Sequence, residues 1–443
     1  MRMSCRTFVT ALSATLALSA QAPNTLDLGF EERVRSEEWN NITDHSDRIN
    51  DGHLHYRMRT RLWAQYNIGK DLELAAGIAQ ENRKVVRPDV AYNGRQIFFE
   101  TLSVNWRFSP GWAVKVGRQD IMRGEGFVFM DGSALDGSRC AYMNAIDLTR
   151  NLGTASKLEF IAISNPRQDK YLPRLNDPND LNLVQRLTEW DEQALALYYT
   201  GKEIKDSTID AYAVYKTETN DYRARANAMF QPDRHLGTVG GRVDRGFGGG
   251  WSANAELAYQ FGTQAANPAQ NVGSKDIGAY GGYARVKKAF EASWKPRVSL
   301  GYTVLSGTDP HSNRIGGWDP LFSRWPKWSE LYIYSQPAEK GVGYWTNTGM
   351  FEAEVRVTPV RNFDLRATYY KMSAMEAPAA VAGQFGSGKD RGGLAQLRAD
   401  LKVNESFKGH VLYERLTPGS FYGAQDPGYF FRMEVTYTFK ARI

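Results

Sequence analysis

The sequence predicts an all-β chain, a transmembrane antiparallel β-barrel of about 18 strands of ~10 residues with short periplasmic turns and long extracellular loops. Three observations lead there. Segments with one apolar and one polar face at period two recur to the last residues. Several are joined by very short polar turns, whereas the other connections are long and rich in Gly, Pro, Asn and Asp. After residue 22 no apolar run approaches a spanning helix, and mean hydropathy is -0.50. That excludes a helical membrane protein and permits a barrel, in which only alternate residues meet lipid.

In chain order, MRMSCRTFVTALSATLALSAQA (residues 1–22) places Arg2 and Arg6 before an apolar run from Thr7 to Leu18 and ends on small residues. This is the layout of a secretory signal peptide, with cleavage after Ala20 or Ala22. The apolar run is well short of the ~20 residues of a spanning anchor. Cys5 precedes the run, the wrong place for a lipoprotein cysteine, and its removal leaves only Cys140, so no intramolecular disulfide is expected. Residues 23–443 show no composition break and read as one outer-membrane barrel. The formal net charge of +6 says little; where the cations sit matters more.

The strands include LDLGF (26–30), LELAAGIA (72–79), LSVNWRF (102–108), AVKVG (113–117), NAELAYQF (254–261), RVSLGYTV (297–304), FEAEVRV (351–357), FDLRATY (363–369), LRADLKV (397–403) and FRMEVTYTF (431–439). Gly69-Lys70-Asp71, Ser109-Pro110-Gly111, Val360-Arg361-Asn362 and Asn404-Glu405-Ser406 are the short turns. Segments 36–53, 165–190, 217–234, 305–342, 374–393 and 417–428 are the long connections. Aromatic content of 12%, with 23 Tyr and 11 Trp, suits the two interfacial girdles of such a barrel. A soluble sandwich or propeller fits less well, since no blade repeat is visible. Strand phase is ambiguous around Arg118, 138–148, 193–200 and 208–216.

YRMRTRLWAQY (56–66) fixes the faces. Arg57, Arg59 and Arg61 share one face with Trp63 and Gln65, and the other is almost wholly apolar. A lipid-facing arginine costs about 2–4 kcal/mol at the midplane, so the three must point into the lumen. The same phase sends Arg33, Arg83, Arg107, Lys115, Arg242, Arg297, Arg356, Arg366, Arg398 and Arg432 inward, with Arg35 and Arg285. The acids Glu73, Glu256, Glu352, Glu354, Asp364, Asp400 and Glu434 accompany them. Two readings stand side by side. The arginines offer successive bidentate contacts to an anionic solute, or each pairs with a lumen acid and holds the wall.

Other motifs carry less. GQFGSGKD (383–390) has P-loop spacing up to Lys389, but Asp390 replaces the Ser or Thr that would hold magnesium, and no helix follows. His53 and His55 lack a third ligand nearby. His410 is an inward candidate for a barrel hydrolase, yet no serine carries a nucleophile signature. No catalytic residue, metal or cofactor is expected, and no nucleic-acid partner.

GRQDIMRGEGFVFMDGSALDGSR (117–139) resembles the region after an early strand of the alginate export porins, and SGTDPHSNRIGGWDPLFSRWPKW (306–328) resembles their long outer loop. The closing FFRMEVTYTF is similar to their last strand, although Lys440-Ala441-Arg442-Ile443 follow Phe439 where an aromatic assembly residue usually ends the chain. Gly117, Arg118 and Gln119 fall on the first motif, and Asp319, Pro320, Leu321 and Phe322 on the second. The resemblance implies an 18-stranded outer-membrane porin of a Gram-negative bacterium whose arginine-rich lumen passes an alginate-like polyuronate or related anionic solute by diffusion. A general or uptake porin for other small anions or sugars is the alternative, and a barrel hydrolase the alternative of another class. Trp318, Trp325, Trp328 and Trp345, in or just after 305–342, suit a loop that covers the mouth. The partners expected are the anionic solute and outer-membrane lipid; a monomer is expected.

Overall fold

The computed structural model describes residues 23–92, 97–130, 143–167, 169–173, 175, 191–219, 232–268, 271–323, 328–335, 345–379, 381 and 384–443. The expected signal peptide, Cys140 and Trp325 lie outside the described residues, as does Gly383 of the P-loop-like stretch. Among the described residues the chain forms β1 (Thr25–Asn40), β2 (His53–Ile68), β3 (Leu72–Arg87), β4 (Ile97–Ser109), β5 (Trp112–Gln119), β6 (Met143–Leu152), β7 (Ser156–Asn165), β8 (Asp191–Gly201) and β9 (Ser207–Thr219). It continues through β10 (Arg234–Gly248), β11 (Trp251–Gln264), β12 (Lys275–Ala289), β13 (Arg297–Leu305), α1 (Leu331–Ser335), β14 (Thr348–Val360), β15 (Phe363–Ser373), β16 (Asp390–Lys402), β17 (Phe407–Thr417) and β18 (Gly428–Arg442). Each strand pairs antiparallel with its neighbours in the chain, and β1 pairs with β18, so the 18-stranded sheet closes.

The connections after even-numbered strands are short and lie on one rim, and those after odd-numbered strands are long and lie on the other. Period-two alternation explains the wall. On β1 the even positions Leu28 and Val34 are exposed while Arg33, Arg35 and Glu37 are buried; on β18 Met433, Val435 and Phe439 are exposed while Arg432, Glu434 and Thr436 are buried. The exposed apolar face is the lipid belt. Aromatic rings mark its edges. At the short-turn rim Trp106 packs on Phe108 at 5.5 Å and Phe407 on Tyr437 at 4.8 Å, while Arg150 covers Trp112 and Lys288 covers Trp251. At the loop rim Tyr413 stacks on Tyr429 at 6.4 Å.

Lys440-Ala441-Arg442-Ile443 do not trail from the last strand. They pair with the start of β1, where Leu26 and Ile443 exchange backbone hydrogen bonds of 2.9 Å and Arg442 donates to both oxygens of Asp27 at 2.5 and 2.9 Å. The barrel therefore closes through residues that lie beyond the expected aromatic end.

Among the described residues two large apolar clusters line the interior. One lies against β6 to β13 and includes Phe127, Phe129, Trp318, Phe322 and Trp345, which belong to the β5–β6 and β13–β14 connections. The other packs Leu331 and Tyr332 of α1 against Met350, Tyr370, Leu412 and Phe430. The β13–β14 connection thus touches both clusters. It reaches from the wall near β10 and β11 to the wall near β17 and β18, inside the barrel rather than over its mouth.

Candidate functional site

The two inserted connections begin at the two sequence motifs. Gly117 has φ 121°, and a Cβ there would lie 2.2 Å from the Leu102 carbonyl oxygen, so the position requires glycine. Arg118 is buried. Its two terminal nitrogens each donate to Asp169 at 2.7 Å, and it also donates to the Phe99 carbonyl at 2.9 Å. Gln119 donates to the Ala145 carbonyl at 3.1 Å and seals β5 to β6 where the chain leaves the wall. The chain then turns inward, and Arg123 ties it to Asp147 at 2.7 Å and Glu159 at 2.8 Å.

In the β13–β14 connection, Asp319 accepts from Arg234 at 2.6 Å and from the Leu321 N–H at 2.8 Å. Gln260 clamps the Asp319 backbone, accepting from its N–H at 2.9 Å and donating to its carbonyl at 2.7 Å. The Pro320 carbonyl accepts from the Ser323 N–H at 2.8 Å, closing the turn. Phe322 stacks on Phe129 at 5.5 Å, joining the two connections, and Ser323 Oγ donates to the Gly126 carbonyl at 2.6 Å. Lys216, 0% exposed, lies 2.8 Å from Glu192, 2.7 Å from Glu218 and 4.9 Å from the Phe322 ring. Its Nζ also donates to the Leu321 carbonyl at 3.4 Å. Trp318 lies flat over Gly281, whose missing Cβ would come 2.6 Å from the indole.

The opposite wall is ionic. Arg35, Arg57 and Arg83 sit side by side across β1, β2 and β3, as do Arg33 and Arg59. Like charges directly opposite each other destabilise a sheet, and carboxylates interleave to offset this. Arg59 reaches Glu31 at 2.8 Å, Arg57 lies between Glu81 at 3.6 Å and Glu37 at 3.7 Å, and Arg61 grips Glu100 through two nitrogens. Arg33 lies 3.8 Å from Glu81 and 3.9 Å from Glu434. Arg432 bridges Glu37 at 2.5 Å and Glu330 of the long connection at 2.6 Å, while Arg35 binds Glu434. Arg83 meets His53 at 3.0 Å, His55 meets Glu37 at 2.7 Å, and His410 lies 3.6 Å from Glu434.

Towards the short-turn rim, four arginines form one cross-strand row, Arg297, Arg356, Arg366 and Arg398 on β13 to β16. Arg297 and Arg356 share Asp364 at 3.2 and 2.9 Å, Arg366 lies 4.0 Å from Glu354, and Arg398 lies 2.8 Å from Asp400. The side chains of Arg297, Arg356 and Arg366 are 41, 37 and 36% exposed and that of Arg398 16%, so most of this row is wetter than the β1–β3 cluster, where Arg61 reaches 20%.

The remaining sequence candidates are dispersed. Arg242 pairs with Asp210 and Asp244, each at 2.8 Å. Glu256 accepts from Tyr212 at 2.9 Å and Tyr283 at 3.0 Å, and Glu352 pairs with Arg285 at 3.2 Å. Glu73 accepts from Gln65 at 3.1 Å, and Lys115 stands in register between Asn105 and Asp147. Arg107 requires correction. It is exposed at the irregular end of β4 and donates to the Lys70 carbonyl of the β2–β3 turn at 2.7 Å, so it belongs to the rim and not to the pathway. Lys389 donates to the Met375 carbonyl at 2.6 Å, and strand β16 begins at Asp390.

Lys216, Glu192, Glu218, Arg234, Gln260 and Arg123 were not singled out from the sequence. Strict alternation in DAYAVYKTE (210–218) is the signal that finds some of them. It is blurred because the inward face also carries Tyr212 and Val214, which meet the inserted apolar loops rather than water.

A family profile for alginate export matches residues 181–435. No curated protein sequence matches the chain. Among solved structures, Pseudomonas aeruginosa OccK5 (OpdH) is similar at 11% identity and a TM-score of 0.55, over 94% of this chain and 98% of that one. The outer membrane protein OprD of the same organism gives 11% and 0.55, over 94% of each chain. P. aeruginosa OccK2 (OpdF), solved in complex with glucuronate, gives 12% and 0.53, over 94% and 96%. At such identities the likeness is one of fold. With the profile covering more than half of the sequence, the chain belongs to the alginate export family and is an outer-membrane porin of a Gram-negative bacterium.

Proposed function

We propose that the porin gives diffusive passage to anionic solutes of the uronate class, with an alginate-like polyuronate as the largest, through an anion-selective lumen. The observation that carries this is the wetter row Arg297, Arg356, Arg366 and Arg398. Four like charges in cross-strand contact destabilise the sheet, and a carboxylate-bearing solute offsets that repulsion as it passes. The cluster of Arg33, Arg35, Arg57, Arg59, Arg61, Arg83 and Arg432 continues the basic wall, its cations outnumbering Glu31, Glu37, Glu81, Glu100, Glu330 and Glu434. In a confined lumen a small excess is focused into a strong field. Family and fold point to transport rather than catalysis. The glucuronate bound by OccK2 supports uronates as the solute class.

A second reading, passage of short uronates only, is favoured by the two inserted loops, which narrow the route. Residues 1–22 serve in either case as the signal peptide, removed after Ala20 or Ala22.

The test is a planar bilayer at low salt, where the Debye length is near 30 Å at ~0.01 M. The wild-type pore should prefer anions and be blocked by oligouronates. Changing Arg297, Arg356, Arg366 and Arg398 to Gln should move the reversal potential towards cations and remove the block, and so should Arg57, Arg59 and Arg61 to Gln. Unchanged reversal potential and block in both variants would reject the reading. Block by monomers but not by oligomers would select the short-uronate form.

A further inference from the structure

The outer face of β10 to β13 carries an arginine without a carboxylate partner beside a groove. Arg245 stands between Val243 and Phe247 on the outward face of β10, while Arg242 and Asp244 turn inward to each other. The Arg245 guanidinium lies 5.7 Å from the centre of the Phe247 ring, and among the described residues no carboxylate comes within ion-pair distance of it. Lys288 is outward on β12, one row nearer the short turns. It reaches across the Trp251 ring to the Gly249 carbonyl, towards the end of β10, and it too meets no carboxylate among the described residues.

An arginine at the edge of the belt reaches water by itself, so the cation alone calls for no ligand. The wall beside it is the second observation. Ala253, Ala255 and Ala284 leave a groove of about 560 Å³ between Phe247 and Tyr302, and Arg245 lines its short-turn side. The groove continues towards the loop rim over Gly241 and Gly282. From Arg245 to Gly241 it follows β10 for about 14 Å, close to the ~15 Å of one leaflet of the hydrocarbon core. A groove of about 640 Å³ over β6 to β11, between Phe160 and Phe261, has no charged residue in its lining.

We propose that the β10–β13 groove binds an anionic glycerophospholipid of the periplasmic leaflet, with an acyl chain over the alanine floor and the phosphate between Arg245 and Lys288. Depth and charge select this occupant. Both cations lie on the short-turn side, which in such a barrel is periplasmic, at the level of headgroups. They are two strands apart, about 10 Å, so one phosphate is within reach of both long side chains. Two cations without a carboxylate favour a net negative headgroup over a zwitterionic one, whose amine they repel. The acyl chain fills the space that the small side chains leave open.

The experiment reads the bound lipid. The barrel, purified in detergent, is incubated with equimolar phosphatidylglycerol and phosphatidylethanolamine and examined by native mass spectrometry. Retention of phosphatidylglycerol is expected, with a loss of preference of roughly fivefold in Arg245→Gln and again in Lys288→Gln. Ala255→Leu, which fills the floor and keeps both cations, should abolish retention. Ala213→Leu, which fills the uncharged groove over β6 to β11, should leave it unchanged. Heat-modifiable migration checks that each variant is folded. Equal retention of the two lipids overturns the proposal, as does a preference that survives loss of both cations. Equal loss on filling either groove also overturns it, the lipid then being an annular one only.

Discussion

The two sides of the lumen are built from the same wall and filled differently. Against β6 to β13 many inward residues are apolar, among them Ala145, Ile161, Ile163, Ala196, Val214 and Leu236, because two folded connections lie on them. Around β1 to β3 and β18 the inward residues are arginines and glutamates that meet one another. Polarity inside a barrel is therefore set by what occupies the interior, and water is only one possible occupant. The packed side fixes the shape of the route, and the ionic side fixes its charge.

The sharpest test of this division is Lys216→Met. It leaves Glu192 and Glu218 buried without their shared cation, and removing one partner of a buried ion pair costs about 3–5 kcal/mol. A lowered urea midpoint in detergent-folded protein is expected; an unchanged midpoint would mean that the packed side does not depend on its buried charges. Gly281→Val comes next. Its new Cβ meets Trp318, and overpacking of this kind costs about 1–3 kcal/mol. The long connection should lift from the wall, giving larger and noisier single-channel conductance and red-shifted tryptophan emission. The smallest effect is expected from Lys371→Ala, which breaks a half-exposed pair with Asp390 of 2.7 Å on the outer surface. Stability should change by about 0–1 kcal/mol, with no change in reversal potential. A selectivity shift there would show that charge outside the lumen contributes to the field.

Much of the fold was legible because turn chemistry and period two act locally. Short turns such as Gly69-Lys70-Asp71 and Asn404-Glu405-Ser406 all fall on one rim, and the long connections on the other. The stretch Tyr56 to Tyr66 alternates cleanly because one face meets lipid and the other meets charge. Phase was ambiguous at 193–200 and 208–216 for the converse reason: Ala194, Ala196, Tyr198 and Val214 point inward yet are apolar, since Phe127, Phe129 and Phe322 pack there. Cross-strand register could not be read at all. The adjacency of Arg297, Arg356, Arg366 and Arg398 depends on how four separate segments align, which no single segment encodes. Arg107 failed for a local reason, because an irregularity between Trp106 and Ser109 ends the regular pairing beside it.

The seam between β1 and β18 has a consequence in time. Arg35 is held by Glu434 and Glu37 by Arg432, so the ionic cluster is shared between the first strand and the last. Arg432 and Glu434 lie on the last strand to be synthesised, and they meet Arg35 and Glu37 only when the cylinder shuts. Before closure Arg33, Arg35 and Glu37 have only their partners on β1 to β3 and lack the counter-charges of β18. Closing the cylinder and completing the charged cluster are then a single event.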